Sequence, residues 1–181
     1  MNFCSKCANP VIFKDVEGDN RPRYVCKSCG KIHYQNPRVI TGCLPIWEDK
    51  ILLCKRAIEP RLGLWNVPAG FLENDETVQA GAVREVLEEA NIAVEIIGLH
   101  TIYSIPHVGH VYMHFLAQLP DLSFSCGEES LEVQLFQENE IPWEDMAFSS
   151  STFCLKRYFE DRKNGVRKIH LGEYLSKFKK I

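Results

Sequence analysis

Residues 70–92, GFLENDETVQAGAVREVLEEANI, join a short turn to a predicted helix that concentrates carboxylates on one side. Glu85, Glu88 and Glu89 are spaced i, i+3 and i+4, so at about 100° of rotation per residue their side chains share an arc of roughly 100°. Like charges at these spacings destabilise a helix unless a cation lies between them. Hard divalent cations such as Mg²⁺ bind one or two carboxylates together with substrate phosphates. The segment therefore predicts a metal platform for phosphate chemistry.

The same segment has the features of an amphipathic helix with one side packed on a core. Its apolar side chains recur at helical period: Val78, Ala82, Val83, Val86, Leu87 and Ala90. Asp75 or Thr77 is expected to cap the start of the helix, and Asn91 is expected to end it in the left-handed conformation. Before the helix, Gly70 would let backbone approach a ligand closely, and the backbone carbonyl of Ala69 is a candidate metal ligand.

A second motif lies near the N-terminus. Cys4-x2-Cys7 and Cys26-x2-Cys29 form two pairs with the spacing of a zinc ribbon. Four thiolates fill a tetrahedral Zn²⁺ site and leave no open position, so the zinc is predicted to be structural. Two disulfides are the alternative, which nothing in the chain favours, because no feature marks it as secreted.

The residues quoted above resemble the Nudix box in type and spacing. The matching positions are Gly70, Glu76, Arg84-Glu85-Val86, Glu88-Glu89 and Ile92, and the family has Gly where this chain has Asn91. Residues 63–70, GLWNVPAG, also look like the family's usual approach to the box.

The Nudix resemblance implies a fold, a reaction and a set of site residues. The fold would be an α/β/α sandwich with a mixed sheet. The reaction would be Mg²⁺- or Mn²⁺-dependent hydrolysis of a phosphoanhydride, with Glu85, Glu88 and Glu89 as metal ligands. Glu76 and Arg84 would form an ion pair that braces the loop against the helix.

Nudix enzymes often supply one further carboxylate from a later loop or strand, as general base or extra ligand. Here residues 128–132, EESLE, precede an apolar strand, and we expect Glu132, then Glu129, to fill this role. Gly70 and Arg56 are candidate substrate-binding residues, the latter because its charge could reach phosphates across the site.

The remaining patterns predict two domains in a chain of 181 residues. We expect a zinc ribbon at residues 1–35 and a Nudix hydrolase domain of α/β class at residues 36–181. Alternating apolar residues and bounding turns predict strands at 39–47, 51–56, 65–67, 94–103, 111–119 and 131–136. Residues 149–163 predict a second amphipathic helix that ends at Gly165.

Substrate identity depends on a wider resemblance. Zinc ribbon and Nudix domain together resemble NADH pyrophosphatases, but residues 103–110, YSIPHVGH, stand where those enzymes carry an SQPWPFPQS-type motif. Other stretches resemble the plant chloroplast Nudix enzymes that split FAD and ADP-ribose: 29–31, 34–37, 53–56, 129–132 and 147–150. FAD or ADP-ribose is thus the expected substrate, giving AMP plus FMN or ribose 5-phosphate, and NADH is the alternative. A regulator that binds nucleotides or nucleic acid without cutting them is the alternative of another class.

Composition adds expectations about partners. The formal net charge of −3 gives no bulk attraction to nucleic acid, so a small nucleotide is the expected partner. No 18-residue apolar run and no signal-peptide pattern is found, so we expect a cytoplasmic protein without a membrane span. The family resemblance implies a homodimer.

Overall fold

The computed structural model describes residues 1–176 and divides the chain into two compact units. The first comprises Met1–Asn36 and holds three antiparallel strands in the order β1-β2-β3: β1 (Val11–Lys14), β2 (Arg23–Cys26) and β3 (Ile32–His33). Cys4, Val25 and Cys26 are its buried apolar residues. Since so small a core stabilises little, this unit has the composition of a metal-dependent domain.

The second unit begins at Pro37 and contains one mixed sheet and two α-helices. The elements are β4 (Arg38–Trp47), β5 (Lys50–Arg56), β6 (Trp65–Asn66), β7 (Ala69–Phe71), α1 (Val78–Ala90), β8 (Glu95–Ile105), β9 (His110–Gln118), β10 (Ser130–Phe136), α2 (Ser149–Asn164) and β11 (His170–Glu173). The sheet order is β10-β5-β4-β9-β8-β11, with β6 paired to β5 and β7 to β4. The β4–β9 and β8–β11 pairs are parallel, and the other pairs are antiparallel.

The two helices cover opposite faces of this sheet. Along β4, Cys43 packs in the core cluster that contains α1, whereas its neighbour Leu44 packs in the cluster that contains α2. Leu52 and Leu53 of β5 divide in the same way. Because successive side chains of a strand point to opposite faces, this division places one helix on each side. The predicted α/β/α sandwich is confirmed.

Most predicted elements occur within one or two residues of their expected ends. The second helix runs one residue further than predicted and ends, as predicted, at Gly165, which has φ 63°. Two strands were missed: β7 lies where a turn was expected before the helix and pairs with β4, and β11 lies in a tail from which the sequence predicted nothing and pairs with β8. Among the residues that the structure describes, no helix is long and apolar enough to cross a membrane.

Candidate active site

The bounds of α1 fix where its glutamates lie. Thr77, one of the two predicted caps, accepts a hydrogen bond from the Ala80 amide at 3.1 Å. At the other end Asn91 has φ 52°, so the predicted left-handed cap is found, and its side-chain amide donates to the Cys126 carbonyl at 2.7 Å. Asn91 thus adopts the left-handed conformation at the position where the resembled family has Gly. Its side chain also connects the end of α1 to the loop before β10 by this hydrogen bond.

Glu85, Glu88 and Glu89 all line one cavity of about 910 Å³. Glu85 and Glu89 are only 8% and 6% exposed, while Glu88 is exposed. Burial raises the pKa of Glu85, and burial together with the charge of Glu85 raises the pKa of Glu89 to about 8, although the Ala69 amide donates to the Glu89 carboxylate at 3.3 Å. Glu89 therefore ionises at neutral pH only where positive charge is close.

The donors at this wall of the cavity fit a hard divalent cation. They are carboxylate oxygens, which Mg²⁺ and Mn²⁺ prefer, and Gly70 contributes no side chain beside them. A Cβ atom at Gly70 would overlap the Glu85 carboxylate. Gly70 of β7 thus leaves space for this carboxylate, and the donor set suits Mg²⁺ or Mn²⁺.

Arg84 connects the loop between β7 and α1 with the candidate metal ligands. Its Nη2 and Nε donate to Glu76 at 2.7 and 3.0 Å, and its Nη1 donates to Glu85 at 2.7 Å and to Glu88 at 3.0 Å. Hydrogen bonds from Arg84 and from the Glu73 amide hold the pKa of Glu76 at about 2. Glu76 and Arg84 therefore form the expected ion pair, and Arg84 also orients two of the three helix glutamates.

The structure separates the two later carboxylates. Glu129 lines the cavity with the helix glutamates, and its charge contributes to the raised pKa values of Glu85 and Glu89. Glu132, which the sequence ranks first, is not among the described residues that line this cavity. Its side chain is 53% exposed and pairs with Lys55 of the adjacent strand at 2.6 Å. A bulge between Ser130 and Glu132 separates the two positions.

Apolar and aromatic side chains line the same cavity as the glutamates. Arg56 lines the cavity, with its guanidinium over the Phe148 ring at 5.1 Å and its Nε donating to the Pro60 carbonyl at 2.9 Å. Other lining residues are Phe71, Ile105, His107, Val108 and Tyr174. One hint of these side chains is present in the sequence: Phe148 lies in residues 147–150, a stretch that resembles the chloroplast subfamily. No local signal marked Tyr174, which follows the missed strand β11.

The four cysteines of the first unit also come together. Sulfur–sulfur distances are 3.7 Å for Cys4–Cys29 and 3.5 Å for Cys7–Cys26, and the four thiols are unbridged. The backbone amide of Lys6 donates to the Cys4 sulfur, and that of Cys29 to the Cys26 sulfur. Four close sulfurs with amide donors to them fit a tetrahedral Zn²⁺.

Comparison with known proteins agrees with this geometry. The family model for the NUDIX domain matches residues 36–154, and the model for the Nudix N-terminal zinc ribbon matches residues 2–35. A crystal structure of a NUDIX hydrolase from Nitrosomonas europaea is 57% identical, with a TM-score of 0.92 over 96% of this chain and 99% of that one.

Two curated relatives bear names that state a substrate. The ADP-ribose pyrophosphatase of Methanocaldococcus jannaschii is 32% identical over 113 residues, which are 60% of this chain and 67% of that protein. The NAD-capped RNA hydrolase NudC of Photobacterium profundum is 32% identical over 120 residues, 65% of this chain. This chain spans only 42% of the length of that NudC protein.

Proposed function

Because the chain belongs to the Nudix family of hydrolases, with a zinc-ribbon domain before its Nudix domain, we propose that this protein hydrolyses a nucleoside diphosphate joined to a second group. FAD and ADP-ribose are the favoured substrates, with AMP as a common product. The observation that carries this proposal is the cavity of about 910 Å³, which glutamates and aromatic and apolar side chains line together. Such a cavity suits a ligand with a charged centre and flat ends.

Glu85, Glu88 and Glu89 are proposed to hold Mg²⁺ or Mn²⁺, together with the Ala69 carbonyl. A bound cation would neutralise the diphosphate and stabilise the charge of the leaving phosphate. Arg84 and Glu76 act as positioning residues, since their ion pair fixes the loop and the carboxylates of Glu85 and Glu88.

Glu129 is proposed, ahead of Glu132, to accept the proton of the attacking water. Its location in the same cavity as the three helix glutamates supports this order, as does the pairing of Glu132 with Lys55. Arg56, which lines the same cavity, would bind a phosphate oxygen, while Gly70 leaves room for the substrate to approach.

The domain division at residues 1–35 and 36–181 is part of the proposal, and the limits of the two family matches support it. The zinc would serve to fold the ribbon. A homodimer stays a prediction. Hydrolysis of NAD(H) or of an NAD cap is the second candidate, favoured by the similarity to NudC. The complete set of helix glutamates argues against a regulator that binds without cutting.

A substrate panel tests the proposal. The full chain is incubated with Mg²⁺ and FAD, ADP-ribose, NADH, NAD⁺, a nucleotide sugar or a nucleoside triphosphate in ¹⁸O-water, and the products are identified by mass spectrometry. AMP from FAD or ADP-ribose is expected, and the position of ¹⁸O identifies the attacked phosphorus. Preference for a triphosphate would overturn the substrate class. Binding without any Mg²⁺-stimulated cleavage would favour the regulator.

A further inference from the structure

Three titratable side chains meet inside the second unit, outside the cavity described above. His100 comes from β8, Asp161 from α2 and His170 from β11. One ligand atom from each lies within 4.8 Å of the others, and the residues are only 1%, 4% and 9% exposed. We propose that these three residues form a third metal site, which takes Zn²⁺ or a similar borderline divalent cation.

Two atoms of the cluster are buried without a hydrogen-bond partner among the described residues: His100 Nδ1 and Asp161 Oδ1. The other nitrogen of His100, Nε2, lies 3.3 Å from the Cys154 carbonyl, to which it can only donate. That bond leaves Nδ1 with a free lone pair. Buried polar atoms are costly unless they are satisfied, so a ligand is the natural complement of both atoms.

The remaining contacts resemble those around a metal-binding imidazole. Ligating histidines usually donate their second ring N–H to a carbonyl or carboxylate, as His100 does to Cys154. His170 Nε2 and Asp161 Oδ2 are 2.9 Å apart, and the Lys168 amide donates to the same Oδ2 at 3.4 Å. A cation between the three ligand atoms would replace the His170–Asp161 hydrogen bond by two coordination bonds.

The protonation states also suit a cation. Burial lowers the pKa of His100, although the Cys154 carbonyl opposes the shift. Burial tends to raise the pKa of Asp161, but His170 outweighs it, and the pKa is lowered. Asp161 and His100 would bind a cation without losing a proton, whereas His170 would first give up the Nε2 proton of its hydrogen bond to Asp161, either to its own Nδ1 or to solvent.

The donor types select the ion. Two imidazoles and one carboxylate suit Zn²⁺, whereas Mg²⁺ prefers oxygen alone. Asp161 also lines a surface cavity of about 240 Å³, which could admit a water molecule as fourth ligand. Bound there, the ion would join β11 to β8 and α2, and so fix the tail segment that carries Tyr174 to the active-site cavity.

Zinc content of the unmodified protein tests the site. The protein is loaded with excess Zn²⁺, exchanged into excess Mg²⁺ to fill the carboxylate sites, and desalted. We expect two zinc ions per chain. A thiol-reactive mercurial should release the ribbon zinc, and the second should appear only on unfolding. One zinc per chain, released entirely by the mercurial, would overturn the proposal and leave a hydrogen-bonded cluster without metal.

A matched pair of variants on α2 assigns the second ion. Asp161→Asn keeps the shape of the side chain but supplies a poorer ligand, so zinc should fall from two ions per chain to one, still released by the mercurial. Glu160→Gln, at the exposed neighbour that forms an ion pair with Arg157 at 2.6 Å, should retain both ions. Two ions in folded Asp161→Asn would refute the assignment. If that variant does not fold, the number of zinc ions per chain in the unmodified protein tests the proposal.

Discussion

Replacing Glu129 by Gln tests the active site most directly, because the nearby Glu132 provides a matched control. Both substitutions remove one negative charge and keep the side-chain volume. Glu129 lines the cavity beside Glu85 and Glu89, whereas Glu132 pairs with Lys55 on the outside. The backbone carbonyl of Glu129, which accepts from the Ala57 amide at 2.8 Å, is unaffected by the change.

The two variants should differ by orders of magnitude in kcat. Loss of a general base typically costs about 10²–10⁴-fold, or roughly 2.7–5.4 kcal/mol of activation free energy. Glu129→Gln should lower kcat by about that factor, with little change in KM, because the side chain acts on water rather than on the substrate. Glu132→Gln removes only an exposed ion pair, worth about 0.2–1 kcal/mol of folding stability.

Steady-state kinetics on ADP-ribose and FAD, with circular dichroism as the check on folding, measure this difference. A loss below tenfold in both variants would remove the loop from the mechanism. A large loss in Glu132→Gln alone would mean that the carboxylate after the bulge, not the one before it, reaches the substrate.

Three further predictions concern the turn, a buried histidine and the ribbon. Gly70→Ala should lower kcat by about 100-fold or more, since its Cβ would displace the Glu85 carboxylate; Gly98→Ala, where a Cβ meets open space, should be nearly silent in the same assay. Burial lowers the pKa of His114 to about 3 from 6.5, so between these values the unfolded chain binds a proton that the folded chain does not. The free energy of unfolding, measured by urea titration, should therefore decrease by up to about 1.4 kcal/mol for each unit that the pH falls from 6.5. If the free energy of unfolding depends as steeply on pH in His114→Gln, His114 is not the cause. Chelation of zinc should unfold the ribbon and expose new trypsin sites within residues 1–36, while unchanged digestion would contradict a structural zinc.

The elements that could be predicted are those whose signals are local. Thr77 and Asn91 mark the ends of α1 within the segment itself, and apolar side chains at helical period determine which side faces the sheet. Cysteine pairs and alternating strands are likewise visible within a few residues. Such patterns predicted the elements and the helix glutamates, whereas the α/β/α sandwich was implied by the resemblance to the Nudix family.

The features that were missed depend on distant contacts. Strand β11 has four residues, and it forms because β8, some 70 positions earlier by their paired residues His170 and Thr101, offers a free edge. The placement of Glu129 rather than Glu132 in the cavity depends on the bulge at the start of β10, which shifts the register with β5. The three residues of the proposed His100–Asp161–His170 metal site come from three separate elements, so no spacing in the sequence connects them.

The short strand β11 has a further consequence for work with this protein. It covers part of the outer edge of β8, a strand of 11 residues whose peptide groups would otherwise be open to pairing with another chain. Shortened versions that end before His170 would leave that edge of β8 unpaired, so they should associate through β8 or precipitate. Affinity tags are therefore better attached at the N-terminal end, where they cannot compete with this protective strand.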